Sequence, residues 1–377
     1  ILPKQNAREA AVVNNLKVYG VENIKEVIEF FNNERNLEPS IVNTREEFYE
    51  HQSSFPYDFA DVKGQESVKR ALEVAASGGH NLIMIGSPGS GKSMMAKCMP
   101  SILPPLSLGE SLETTKIHSV AGKLGKDSSL IAIRPFRSPH HTISQVAMVG
   151  GGTNPQPGEI SLAHNGLLFL DELPEFNRSV LEVLRQPLED RHISIARAKY
   201  SLDYPASFML VASMNPCPCG YYNHPTRACV CNPGQVQRYL NRISGPLLDR
   251  IDIQIEIVPV PFEKMAERHH AESSASIRER VIKAREIQAQ RFANHPGIYC
   301  NAQMEAGLLH LYAQPNEAGL KLLRTAMTRL NLSARAYGRI LKVARTIADL
   351  DNSEHITSIH LAEAISYRNL DREDWAG

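Results

Sequence analysis

Gly86-Ser87-Pro88-Gly89-Ser90-Gly91-Lys92-Ser93 decides the fold. The stretch fits G-x-x-x-x-G-K-[ST], and its surroundings are those a phosphate-binding loop needs. Asn81–Ile85 is a short apolar run that reads as a strand leading in, and Ser93–Met99 reads as a helix leading out. The glycines let backbone N–H groups turn inward around phosphate oxygens, and the helix N-terminus adds positive potential. In such a loop Lys92 contacts the β- and γ-phosphates of ATP, and the Ser93 hydroxyl binds Mg²⁺.

Downstream, Leu167–Leu170, Phe208–Ala212 and Ile251–Ile257 are further continuous apolar runs that alternate with helical segments between about Tyr57 and Pro261. That alternation predicts an α/β domain in which Asn81–Ile85, Leu167–Leu170 and Phe208–Ala212 are strands of a parallel sheet buried on both faces. Leu167–Leu170 ends in Asp171-Glu172. Two carboxylates there are costly to bury without a cation or a role. Asp171 fits the Mg²⁺ shell, directly or through water, and Glu172 fits the group that orients and polarises the attacking water. Asn215 follows the next strand, where its amide can reach that water or the γ-phosphate. Arg250, just before Ile251–Ile257, can act as a cationic finger on a γ-phosphate, including that of a neighbouring subunit.

The cysteines form a second cluster. Cys217-x-Cys219 and Cys229-x-Cys231 could close a tetrahedral Zn²⁺ site, with His224 between the pairs as a substitute ligand. Reduced unliganded thiols and facultative disulfides are the alternatives. Cys98 and Cys300 stand alone and read as packing residues.

Of the 377 residues 42% are hydrophobic, enough for a real core and against intrinsic disorder. Lys plus Arg equals Asp plus Glu at 41 each, which excludes a nucleic-acid partner held by bulk charge but not a local basic patch. No apolar run reaches the ~18 residues of a membrane span. No signal-peptide pattern opens the sequence, so the expected compartment is the cytoplasm. The chain starts at Ile1 without Met, as a fragment of something larger would. Residues 1–38 carry two helix-like stretches, Asn6–Asn14 and Ile24–Asn32, the latter with Ile24, Val27, Ile28 and Phe31 on one face. Residues 39–56 are polar and read as a linker. Beyond residue 263 the pattern is helical, with segments at Ser276–Phe292, Glu317–Leu330, Ala334–Leu350 and Ser358–Tyr367.

These motifs, with Met214-Asn215-Pro216-Cys217-Pro218-Cys219-Gly220 and Leu248-Asp249-Arg250-Ile251-Asp252, together resemble the AAA+ ATPases of the magnesium-chelatase-like branch, and within it the YifB/ComM family. Arg134–His141, Pro157–Gly166 and Leu332-Ser333-Ala334-Arg335-Ala336-Tyr337 are further family-like strings, so the resemblance runs over residues 57–370. Leu2–Ala10 looks like the end of that family's Lon-protease-like N-terminal domain.

The resemblance implies an AAA+ P-loop core with a parallel sheet over 57–262, an all-α lid domain over 263–377, and a Lon-like remnant over 1–38. It assigns Walker A to Lys92 and Ser93, Walker B to Asp171 and Glu172, sensor 1 to Asn215, the trans arginine finger to Arg250 and the sensor 2 arginine to Arg335. It places a helix-2 insert at 134–160 and a pre-sensor-1 hairpin at 193–207. In minichromosome maintenance helicases these inserts project into a central pore and touch DNA. Arg197 and Lys199, near the hairpin tip, could then neutralise phosphates, with Tyr200 available to stack on a base; otherwise they are ordinary surface charges. The implied activity is Mg²⁺-dependent ATP hydrolysis by a homo-oligomeric ring, a hexamer, that moves DNA in recombination, since ComM-type proteins promote branch migration of transforming DNA. A chelatase motor subunit and a protein-remodelling chaperone are the alternatives. The cysteine loop and the Lon-like start argue against the first.

Overall fold

The computed structural model describes residues 1–11, 16–40, 52, 55–125, 130–152, 155–197, 200–260, 271–330 and 332–368. The chain divides by its contacts into two units, Ile1–Ser54 with Pro105–Pro135, and Phe55–Pro104 with Phe136–Gly377. Most of the expected linker at 39–56 lies outside the described residues, as does Lys199.

Besides the short antiparallel pair Gly150–Gly151 with Gln156–Pro157, the described residues of the second unit hold β1 (Leu82–Gly86), β2 (Phe136–Arg137), β3 (Leu167–Leu170), β4 (His192–Arg197), β5 (Tyr200–Pro205), β6 (Met209–Met214) and β7 (Ile253–Ile257). Five of them form one sheet in the order β7-β1-β6-β3-β2, and every neighbouring pair is parallel. The α/β P-loop fold is as expected from the sequence. The difference lies at the edge. Phe136–Arg137, read as the start of an insert, is instead a strand paired with Leu167-Leu168. Two residues are too few to carry a periodicity.

Strand alternation sorts the sheet's side chains onto two faces. Leu82, Met84, Leu167, Phe169, Met209, Val211 and Ile255 face one core cluster, and Ile83, Ile85, Leu168, Leu170, Leu210 and Ala212 the other. Helices α1 (Glu66–Gly78), α2 (Lys92–Ile102), α4 (Ser274–Arg291) and α7 (Ala334–Leu350) contribute to the first cluster. The second is closed by Met148, Ile160, Val180, Leu181 and the base of the β4–β5 hairpin, whose Ile193 and Ile195 are buried. Tyr204 on β5 donates to the Pro155 carbonyl at 3.1 Å, so the hairpin and the 138–160 segment are packed together. Beyond β7 the described residues hold α4, α5 (Ala306–Tyr312), α6 (Glu317–Arg329), α7 and α8 (Ser358–Ser366), with α3 (Pro233–Leu240) earlier in the chain.

A buried polar network ties α7 to the end of the sheet where the strands begin. Asp252, just before β7, pairs with Arg339 of α7 and with His80 Nδ1 at 3.2 Å; His80 Nε2 lies 2.7 Å from Thr346 Oγ1. Burial holds the His80 imidazole below its ordinary range, outweighing the pull of Asp252. Burial pushes the Asp252 carboxyl up, but Arg339 and His80 outweigh it and hold it low. Both groups therefore bind fewer protons folded than unfolded. Their stabilisation is complete above pH ~6.5 and is lost as pH falls, the histidine part first and the aspartate part below pH ~4. The melting temperature is expected to drop between pH 7 and pH 5, and a His80→Gln variant to show a shallower drop. One proton corresponds to about 1.4 kcal/mol per pH unit. Equal slopes in thermal melts of both proteins would refute the assignment.

The first unit is smaller. Leu2–Pro3 pairs in parallel with Gly20–Val21, and Ala7, Ala11 and Val18 form its small core. Helix Ile24–Phe31 is capped by Asn23, whose Oδ1 accepts from the Glu26 N–H at 3.2 Å. Its expected apolar face is present but uncovered, with Ile24, Ile28 and Phe31 all exposed. Helix Leu108–Val120 starts at a Ser107/Glu110 capping box, and Arg134 pairs with Glu110 at 3.1 Å.

Candidate nucleotide site and interface arginines

The Gly86–Ser93 loop links the end of β1 to α2, and Gly91, the N-cap, sits at φ +91°, where L side chains are rarely found. Lys92 is buried in the loop and donates to the carbonyls of Gly86 (2.6 Å) and Ser87 (2.9 Å), and to Asn215 Oδ1 (3.3 Å). Burial lowers its pKa, opposed by the charges of Asp171 and Glu172. An ammonium that has given up water for carbonyls is ready to exchange them for an anion. Ser90 Oγ is buried with no hydrogen-bond partner among the described residues. An orphan hydroxyl beside a desolvated lysine, in a glycine-rich loop that opens the helix α2, fits phosphate oxygens.

Asp171 closes the site from β3. Its Oδ2 accepts from Ser93 Oγ at 2.7 Å, and its Oδ1 accepts from the Ser213 hydroxyl and from the Glu172 N–H at 3.0 Å. One hydroxyl and one carboxylate in contact are the hard oxygen donors a Mg²⁺ ion shares with phosphates. Glu172 stands at φ +54°, a left-handed conformation that costs a non-glycine residue ~1–3 kcal/mol and clusters at functional sites. Its carboxylate is largely exposed and faces His141 Nδ1 at 3.7 Å.

Gly86–Ser93, Asp171, Glu172 and Asn215 are thus together at the carboxyl ends of the strands, where ligands of open parallel sheets bind. Arg250 and Arg335 are not with them. The Arg250 carbonyl accepts from Asn81 Nδ2 at 3.0 Å, and Asn81 precedes β1. The five residues of β1, about 16 Å of strand, separate that point from the loop. Arg250 itself turns to Glu189 (2.6 Å) and the Pro246 carbonyl (2.5 Å), and its Nε has no partner among the described residues. Arg335, exposed at the start of α7, pairs with Asp249 at 3.1 Å. The helical segment beyond β7 therefore brings Arg335 beside Arg250, at the opposite end of the strands from its own chain's Gly86–Ser93 loop.

The four cysteines are brought together as expected. Their Sγ atoms all lie within 4.8 Å of one another, with Cys217–Cys219 at 3.3 Å, Cys217–Cys229 at 3.7 Å and Cys219–Cys229 at 3.5 Å. A disulfide needs about 2.05 Å, whereas thiolates 2.3 Å from one tetrahedral zinc sit roughly 3.8 Å apart. His224 is not a fifth candidate: its Nδ1 accepts from the Thr226 and Arg227 N–H groups at 3.2 and 3.1 Å. At the hairpin, Arg197 pairs with Tyr200 at the last register position before the turn. The Arg197 side chain, like Lys199, lies outside the described residues.

Sequence reasoning missed Ser213, Glu189 and His141. Ser213 was detectable, as the one hydroxyl in the otherwise apolar strand Met209–Met214. His141 lay in the string Arg134–His141 without a role, because nothing local points it at Glu172.

Two family models match the chain: magnesium chelatase, subunit ChlI, over residues 58–265, and magnesium chelatase, subunit ChlI C-terminal, over 271–368. The competence protein ComM of Haemophilus influenzae is 43% identical over 374 residues, 99% of this chain and 72% of that protein. YifB of Escherichia coli is 43% identical over 376 residues, 99% and 71%. The magnesium-chelatase 38 kDa subunit of Rhodobacter capsulatus is 25% identical over 179 residues, 42% and 50%. Among the described residues, no helix is long and apolar enough to cross a membrane.

Proposed function

This chain belongs to the magnesium chelatase subunit ChlI family, and from that premise we propose that it is a Mg²⁺-dependent ATPase working as a hexameric ring on DNA. Lys92 and the loop amides bind the phosphates, Ser93 and Asp171 hold the metal, Glu172 orients the water, and Asn215 ties the loop to the end of β6. Bound MgATP supplies the bond that is cleaved and the charge that these groups stabilise. The observation that carries the reading is the separation of the arginines from the loop. An Arg250 about one strand length from Lys92 can serve only another subunit's γ-phosphate, and Arg335 beside it acts on the same neighbour. A ring of identical chains meets that need at every interface.

The DNA part rests on the competence protein among the relatives and on the paired insert and hairpin, which would carry Arg197 and Lys199 away from the sheet. We read the chain as a Lon-like remnant (1–38), a linker (39–56), an AAA+ core (57–262) and a helical domain (263–377), acting in the cytoplasm. Zn²⁺ in the four-cysteine cluster is part of the same proposal.

The test is ATPase rate with and without single-stranded, forked and four-way-junction DNA at stated salt, in the wild type and in an Arg197→Ala, Lys199→Ala pair. DNA is expected to stimulate the wild type. The pair should keep basal turnover, lose stimulation, and show a salt slope of binding shallower by about two contacts. No DNA effect on the wild type would favour a chelatase-type or protein-remodelling motor.

A further inference from the structure

The loop that holds the cysteines also rests on the phosphate loop. From β6 the chain runs through Asn215, in contact with Lys92, to a buried Pro216 and a fully buried Cys217. It then turns back, with the Gly220 N–H donating to the Cys217 carbonyl at 3.0 Å. Gly220 is buried at φ +86°, and a Cβ there would fall 2.5 Å from Pro88 Cδ and 2.8 Å from Cγ. Only a glycine lets the cysteine turn lie this close to the Pro88 ring. From Tyr221 to Cys231 no residue is buried, and Val230 is 85% exposed. The excursion has almost no apolar core of its own, and the four-sulfur cluster is what joins its two ends.

We propose that a zinc ion bound by Cys217, Cys219, Cys229 and Cys231 makes this loop a strut that presses Gly220 onto Pro88 and holds Asn215 at Lys92, so that metal occupancy sets the affinity of the phosphate loop for nucleotide. The inference rests on the readings that Gly86–Ser93 binds ATP and that the cysteines bind metal. A structural zinc site contributes folding free energy to whatever its ligands close. Here the closed segment is in contact with Pro88 on one side and is continuous with Asn215 on the other. Without the ion, four thiols and an exposed loop are left to hold that position. Pro88 would gain freedom, and the cradle would have to be ordered by the nucleotide itself, at a cost in affinity.

The experiment measures zinc content and the dissociation constant of a fluorescent ATP analogue on the same samples, under reducing conditions. The wild type is expected to hold about one zinc per chain. Chelation should weaken nucleotide binding by about tenfold or more, and added zinc should restore it. Gly220→Ala should keep its zinc yet bind nucleotide as weakly as the stripped wild type, because the added methyl forces the strut off Pro88. Cys219→Ser with Cys231→Ser should lose both zinc and the rescue. Unchanged affinity after chelation and in Gly220→Ala, with zinc present beforehand, would overturn the strut and leave the metal site standing. A wild type without zinc would overturn the metal reading. A zinc-loaded wild type that binds no nucleotide would instead overturn the phosphate-loop reading.

Discussion

A Glu172→Gln variant is expected to bind ATP at wild-type affinity and to hydrolyse it roughly 10²–10⁴-fold more slowly, the range for loss of a positioned acid–base group. Glutamine keeps the size and the backbone of the site. Lys92, Ser93 and Asp171 keep their mutual contacts, none of which involves the Glu172 side chain. What is lost is a carboxylate that stands free enough to reach a water, held on a strained backbone and facing His141. Lys92→Ala should behave differently and lose binding itself, because it removes the charge that burial has already stripped of water. Equilibrium binding and single-turnover hydrolysis separate the two. Wild-type turnover in Glu172→Gln would remove it from the reaction.

Arg250→Ala should lose about 10³–10⁵ in turnover, the worth of an arginine finger, with nucleotide binding retained. The stronger expectation concerns mixtures. Arg250→Ala chains keep an intact phosphate loop, and Lys92→Ala chains keep an intact finger at the other end of the strands. Neither is active alone. When they are mixed and allowed to exchange, interfaces that join the good loop of one to the good finger of the other should recover activity. Arg335→Ala should complement Lys92→Ala in the same way, because Asp249 holds Arg335 beside Arg250. Exchange confirmed by mass, with no recovery at any ratio, would rule out action between subunits.

Glu189 bears on both mixtures. In the single chain it pairs with Arg250 at 2.6 Å, so a finger engaged on a neighbour must leave that carboxylate. Arg250 is the buried partner and Glu189 is more than half exposed, so water takes over the carboxylate once the guanidinium is gone and the cost of breaking the pair is small. Arg250→Ala therefore frees Glu189 as well as emptying the finger position, and the binding control separates the two effects.

The phosphate loop was legible in the sequence because its chemistry is local. Eight consecutive residues, a strand before and a helix after are enough to make a cradle, and each leaves its mark within a short window. The strands carrying Asp171 and Asn215 were legible for a related reason: a strand covered on both faces must be apolar throughout, so a polar residue at its end stands out. The cysteine cluster was visible as spacing, and the three central strands of the parallel sheet followed from alternation with helices. What the tertiary structure alone decided is everything that depends on which ends of elements meet. The periodicity of α7 foretold a helix, but only Arg339–Asp252 and Arg335–Asp249 put its start at the opposite end of the strands from Lys92. The strand Phe136–Arg137 was invisible because two residues gain their pairing from Leu167-Leu168 and none from their own pattern. Nor does any spacing bring Gly220 onto Pro88, 132 positions earlier in the sequence. Contacts between residues far apart in sequence are set by how the packed core closes, and a linear pattern records what each segment buries without recording what it is buried against.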